Sequence, residues 1–466
     1  MSEVTAGDVG SGHQDAGIPA RLARVLANAV GVALFGAILL LPLALNPGWY
    51  SHDELQWAAF ARPLDGVRIS GGWLELQRFQ YRPLTFELWL LIGSWLADLP
   101  GVHHTLHAGL GLLLALGLRA ALVAWQVPRA TSGCAALLFL LHPYAVFVHA
   151  WVATLADLLW VGSGIAIAWL LAPSATGRAP GPWRVLAVVP LVALALLAKE
   201  AAVVLPALVL VLAMLTRQRA HLVAALVAAV PVALYLAVRL PVILSTPTDA
   251  TYGWSLLQIP GRALGYFAFP YAPILAEIVQ LAQLPGYALL GIGVIAALHL
   301  GLVARSAPQA AWAWLIGGLV AVAPVLILSS ASNQYGYGFA VIASVAGAIA
   351  IARARGQVRT ALVALSAAVA LHGVVVAWHV VDAGVRASRF VPALAATLAD
   401  WPGPEPLRLS IDGAGRIWLW ARLTHEIPHI GGVPVGDRVV IVGPGEPADV
   451  RVQRDGSLER LRGAAP

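Results

Sequence analysis

The chain has 466 residues, 59% of them apolar and only 11% charged. Its 52 charged side chains compare with roughly 115 in an average soluble protein of that length, and 20 of them fall from Asp382 onward. So apolar a stretch excludes a cytosolic enzyme and a disordered chain, and the single cysteine, Cys134, excludes a disulfide scaffold. The net charge of +6 sits on arginines scattered between apolar runs, a pattern of membrane orientation and not of nucleic-acid binding.

A bilayer core of ~30 Å needs about 20 apolar residues per helix. Such runs lie near 26–45, 104–124, 131–150, 153–172, 184–198, 201–215, 220–243, 286–304, 309–328, 337–353 and 358–381. The expectation is an all-α polytopic membrane protein with about eleven spans. Residues 1–25 read as a cytoplasmic tail, and the run after Arg21 and Arg24 as an uncleaved anchor. With the N-terminus inside, the inner connections carry Arg119, Arg129, Arg178, Arg184, Arg217, Arg219, Arg305, Arg353, Arg355 and Arg359 and no acidic residue. Every acid between 31 and 381 then falls outside, which sets an inner-membrane orientation with the C-terminus periplasmic or extracellular. Crossing at 83–99 would invert every later arginine loop, so that segment is expected as an interfacial or re-entrant helix.

The outer pieces are then 46–103, 244–285 and the tail 382–466, with 26–381 as the membrane domain. The tail reads as a small α/β domain, with a helix near 385–400 and strands at Leu407–Ile411, Arg416–Trp420 and Arg438–Val442.

Charge beside a membrane span is costly and marks candidate function. Asp53 and Glu54 form an acidic pair just after the first run, where partial dehydration suits a general base, or where they simply cap a helix. Tyr81-Arg82-Pro83 starts a helix that aims a guanidinium and free N–H groups at an anion. Asp157 opens the fourth run, after His142 and His149, and is either a cation ligand or a residue favoured by the helix dipole. Lys199, the only lysine, precedes Glu200 between two short apolar runs. It is either an anchor for a phosphate oxygen or one half of a self-satisfied Lys199–Glu200 pair. His103, His104 and His107 have no carboxylate at matching spacing and read as structural.

In order along the chain, these segments resemble the GT-C superfamily of polytopic glycosyltransferases, and within it the protein O-mannosyltransferase branch. The resemblance is carried by Tyr81-Arg82-Pro83-Leu84-Thr85, His142-Pro143, Ala156-Asp157-Leu158-Leu159, Ala198-Lys199-Glu200 and Asn333-Gln334-Tyr335. It covers roughly 26–381, and Gln334 stands where that branch usually has arginine. It implies inverting transfer of a sugar from a polyprenyl-phosphate donor to a glycan, lipid or protein acceptor at the outer face of the bilayer. By that likeness Asp53 is the base, Lys199 and Arg82 hold the donor phosphate together with Tyr335 and Gln334, and His142 and Glu200 orient the site. Glu54 and Asp157 either hold a divalent cation such as Mg or Mn, or orient the acceptor and Lys199. The rival readings are a flippase or transporter, and an O-antigen ligase or polymerase, acting on the same class of lipid-linked glycan.

Overall fold

The computed structural model describes residues 20–48, 52–61, 71–78, 80–174, 177–245, 253–272, 286–401, 404–411, 417–424 and 427–461. Residues 1–19 of the N-terminal tail, 246–252 and 273–285 of the second outer piece, and Arg416 lie outside them.

All eleven apolar runs fold as helices, but not all are long enough to cross a bilayer. Among the described residues seven pass that test, and Arg129–Leu141 with Pro143–Ala150, bent by 63°, makes an eighth when taken as one. The expected count of eleven is corrected accordingly: Ala29–Ala44, Pro182–Ala198 and Glu200–Thr216 are apolar but shorter. The reasons are local. Asn28 starts the first of these by accepting the Val30 N–H at 3.0 Å, and its 16 residues reach about 24 Å. The other two are split at Lys199, whose backbone is extended (φ −158°, ψ 136°). The chain is a multi-pass helical membrane protein. Pro83–Leu96 is a helix of 14 residues, about 21 Å and short of a crossing.

The 63° bend falls at His142-Pro143. Proline lacks an N–H and cannot continue the preceding helix, but it suits the first position of a new one. The second half-helix is buried throughout, with Tyr144 against Phe339, His149 against Phe139 and Tyr337, and Phe147 against Trp151.

The expected helix at 385–400 is no separate element. Gly356–Ala399 runs as one helix of 44 residues, with Pro392 inside it. Near Gly384 it packs against the loop that follows Ala29–Ala44, so closely that a Cβ on Gly384 would meet Asn46 Oδ1.

Beyond it, β1 (Leu407–Ile411), β4 (Val439–Ile441), β5 (Val450–Val452) and β6 (Leu458–Arg460) form a sheet in the order β4-β1-β5-β6. β1 is parallel to β4 and β5, and β6 is antiparallel to β5. β2 (His429–Ile430) and β3 (Val433–Pro434) make a separate hairpin. The strand expected at Arg416–Trp420 is instead a helix, Ile417–Arg422. Leu419, Trp420 and Leu423 are buried on one side of it, and Trp420 meets Phe390 of the long helix at 4.9 Å. A run so short and apolar carries no period that separates strand from helix, and tertiary packing decided it.

Candidate active site

The break at Lys199 leaves Ala198 with a carbonyl that no helical N–H can reach. Thr85 supplies the missing donor, its hydroxyl bonding Ala198 O at 2.8 Å. Three residues earlier, Arg82 Nε bonds Glu200 Oε2 at 2.7 Å. The Arg-Pro-Leu-Thr segment therefore grips both sides of Lys199, across 113 and 118 residues of chain.

Lys199 itself does not pair with Glu200. Its Nζ bonds both oxygens of Asp157 at 2.6 Å, and both side chains are almost wholly buried. Asp157 stands in the first turn of Leu155–Leu170, and its Oδ1 also accepts the Trp160 indole N–H at 3.3 Å. The self-satisfied Lys199–Glu200 pair is thus corrected: in an extended residue, adjacent side chains leave opposite sides of the backbone. Two of the three ammonium donors serve Asp157. The Tyr335 ring centroid lies 5.2 Å from the same nitrogen.

Glu54 joins this network from the other side. It is fully buried, and its Oε1 accepts the Val152 N–H at 3.1 Å, in the turn that leads into the Asp157 helix. Thr154 fixes that turn by donating to Val148 O and Trp151 O. Asp53, on the same short helix His52–Ala61, points elsewhere. Its Oδ2 accepts from Arg422 Nη2 at 3.1 Å, so the C-terminal domain reaches back onto the first outer piece.

The remaining candidates separate. Gln334 lies one residue from Tyr335, and its Oε1 is buried without a hydrogen-bond partner among the described residues. His142 is not brought to Asp157: it caps the Pro143 half-helix, with Nδ1 accepting the Tyr144 N–H at 3.4 Å. The 63° bend turns it instead toward a small cavity of about 30 Å³ that it lines with Tyr271, His299 and Trp314. Two of the histidines at the head of Pro100–Ala124 meet backbone carbonyls. His104 meets Gly48 O at 3.1 Å and His107 meets Val148 O at 2.9 Å.

No three His, Cys, Asp or Glu side chains gather as metal ligands among the described residues. Asp157 gives both oxygens to Lys199 and Glu54 braces a backbone N–H, so the pair does not fit a cation site.

Two residues that sequence reasoning missed complete the arrangement. Arg239, inside the apolar helix Arg219–Ser245, is 1% exposed and donates to Leu76 O and to Arg78 O, with its guanidinium 5.3 Å from the Tyr81 ring. It straps the segment that leads into Arg82. An arginine within an apolar run was the available signal. Arg422 left no such signal, because its partner Asp53 is 369 residues away.

No family model and no curated protein matches the chain. Two solved structures of an oligosaccharyltransferase from Archaeoglobus fulgidus are similar to it. One, tethered with an acceptor peptide containing the NVT sequon, is 12% identical, with 85% of this chain and 63% of that one covered at a TM-score of 0.43. The other, AglB in complex with an inhibitory peptide and a dolichol-phosphate, is 13% identical, with 88% and 64% covered at a TM-score of 0.46. The chain spans less than two thirds of their length, and likeness at that level assigns neither a fold family nor an activity.

Proposed function

We propose that the chain is a membrane glycosyltransferase of the GT-C type, transferring a sugar from a polyprenyl-phosphate donor to an acceptor at the outer face of the membrane. One observation carries the reading. Four segments remote in sequence join through Glu54–Val152, Asp157–Lys199 and Glu200–Arg82 at the break between two short helices. A lipid-linked donor calls for cations held against its phosphate, and a helix break in a membrane domain is tolerated where protein buries it, as at Lys199.

In this reading Asp53 takes the proton as the acceptor hydroxyl oxygen attacks the anomeric carbon from the face opposite the leaving group. The bond from that carbon to the phosphate oxygen breaks, and its electron pair leaves on the lipid phosphate. The third Lys199 donor and the Arg82 guanidinium stabilise the added charge. Asp157 holds the ammonium in place, Glu200 does the same for Arg82, and Glu54 fixes the turn that carries Asp157. Tyr335 and Gln334 lie at the donor side.

The test is transfer of radiolabelled sugar from a synthetic polyprenyl-phosphate monosaccharide by the purified chain in nanodiscs, against the Lys199→Ala variant. Transfer that is lost in the variant supports the reading. Vesicle-to-vesicle translocation of the intact donor without transfer assigns the chain to transport instead.

A further inference from the structure

The small cavity that His142 lines stands apart from the site at Lys199: neither Lys199, Asp157, Arg82 nor Glu200 lines it. It measures about 30 Å³ and lies where two irregular stretches of the membrane domain meet. One is the bend at His142-Pro143, and the other is a π-helical turn, Ala313–Gly317, that carries Trp314. Breaks of this kind inside a membrane are commonly satisfied by neighbouring helices and ordered water.

Three of the lining residues carry a buried polar atom with no hydrogen-bond partner among the described residues: His299 Nε2, Trp314 Nε1 and Ser344 Oγ. They come from three different spans, Gly286–Ser306, Pro308–Val325 and the helix Tyr337–Arg353. The His299 and Trp314 rings meet edge to face, 5.1 Å apart. Tyr271 OH lies 2.6 Å from His299 Nδ1 and fixes the imidazole, which leaves Nε2 to the cavity. Ser366 lines it from a further helix, Gly356–Ala399. A polar atom buried without a partner is costly, and three around one cavity point to a shared ligand.

The chemistry of the lining selects that ligand. No Asp, Glu, Lys or Arg lines the cavity, so an ion would enter it without a counter-charge. The indole N–H only donates, whereas a hydroxyl and an imidazole nitrogen can each donate or accept, so a ligand that does both serves all three. A water needs about 10–15 Å³ of such volume and two to four polar partners, and the cavity meets both conditions. We infer that the cavity is a site for at most about two ordered water molecules, which bond His299, Trp314 and Ser344 and so tie three spans together.

Hydroxyl-radical footprinting reads such water directly, because X-ray radiolysis of an ordered water oxidises the side chains beside it even where bulk solvent cannot reach. With the full chain in nanodiscs, Trp314 should be oxidised although it is only 3% exposed. Gly347→Ala is the companion variant. A Cβ there has only Ser366 Oγ within 4 Å, at 3.8 Å, so the methyl group enters the cavity without a clash and displaces water. Oxidation of Trp314 should then be lost, with the rest of the footprint unchanged. Ser344→Ala adds no volume but removes one polar partner, so it should lower the same signal, and it serves alone if Gly347→Ala does not fold. An unlabelled Trp314 in the parent overturns the site, and so does labelling that persists at the parent level in the folded variants.

Discussion

Lys199 gives its ammonium to Asp157, 42 residues earlier in the chain, and not to Glu200 beside it. Glu200 is thereby left to Arg82, and two buried or half-buried ion pairs lie on either side of one helix break. Burying a charge is tolerated only when its partner is equally fixed, so the two pairs should respond differently to mutation.

Asp157→Asn leaves an ammonium buried without a counter-charge and should cost about 3–5 kcal/mol of stability. The double variant Asp157→Leu/Lys199→Met removes both charges and should recover most of that loss. Transfer should stay abolished in the double variant, which has lost the ammonium, and fall in Asp157→Asn, where the ammonium has lost the carboxylate that positions it. Thermal melts in detergent with a parallel transfer assay separate the two effects. An active double variant would remove Lys199 from the chemistry.

Arg82 and Glu200 are each about a quarter exposed, 23% and 24%. Solvent screening limits such a pair to about 0–1 kcal/mol of stability. Arg82→Met should therefore melt close to the parent, yet bind polyprenyl phosphate about tenfold or more weakly, through loss of a charge-assisted bond worth ~1.5–3 kcal/mol. Arg82→Lys should recover only part of that affinity, since an ammonium cannot reproduce the guanidinium fork. Unchanged lipid-phosphate affinity in Arg82→Met would restrict Arg82 to a structural role.

Arg239→Met should loosen the outer segment that it straps. The carbonyls of Leu76 and Arg78 lose their donor, at about 0.5–1.5 kcal/mol for each bond, because both residues are exposed and water can take the donor's place. Limited proteolysis should show faster cleavage near 71–78, and hydrogen exchange should rise in the same segment. Protection equal to the parent in both measurements counts against the strap.

Asp53→Asn keeps the shape of the side chain and removes its capacity to accept a proton. Turnover should fall by about 10² or more, the scale of a lost general base. The melt should move little, because Asp53 is a quarter exposed (25%) and its ion pair with Arg422 is screened. Near-normal turnover would pass the role to another carboxylate.

The sequence made the apolar architecture easy to read, because a run of about 20 apolar residues is long enough to span a bilayer and too apolar to face water. It misled on span length where a single polar residue breaks the ladder. The polar start at Asn28 and the extended Lys199 shorten three helices that apolarity alone would let cross. It misled again at Ile417–Arg422, where six residues cannot show a period. The site was legible as short segments in a fixed order, but not as pairs. Which carboxylate met Lys199 depended on the direction of an extended residue, and the link from Asp53 to Arg422 depended on a domain packed onto the far end of a helix.

At 44 residues, Gly356–Ala399 is about 66 Å long, roughly twice the thickness of the hydrocarbon core. The C-terminal domain is fastened to the C-terminal half of this helix through Phe390 against Trp420, Arg438 on Leu398 O, and Arg389 with Asp455. The last span and the C-terminal domain are therefore one lever. A change of about 5° in the tilt of that helix would swing its far end by roughly 6 Å, more than the 3.1 Å that separates Arg422 from Asp53. A bilayer of different thickness, which biases helix tilt within what neighbouring helices allow, would act through that lever on the contact between Arg422 and Asp53.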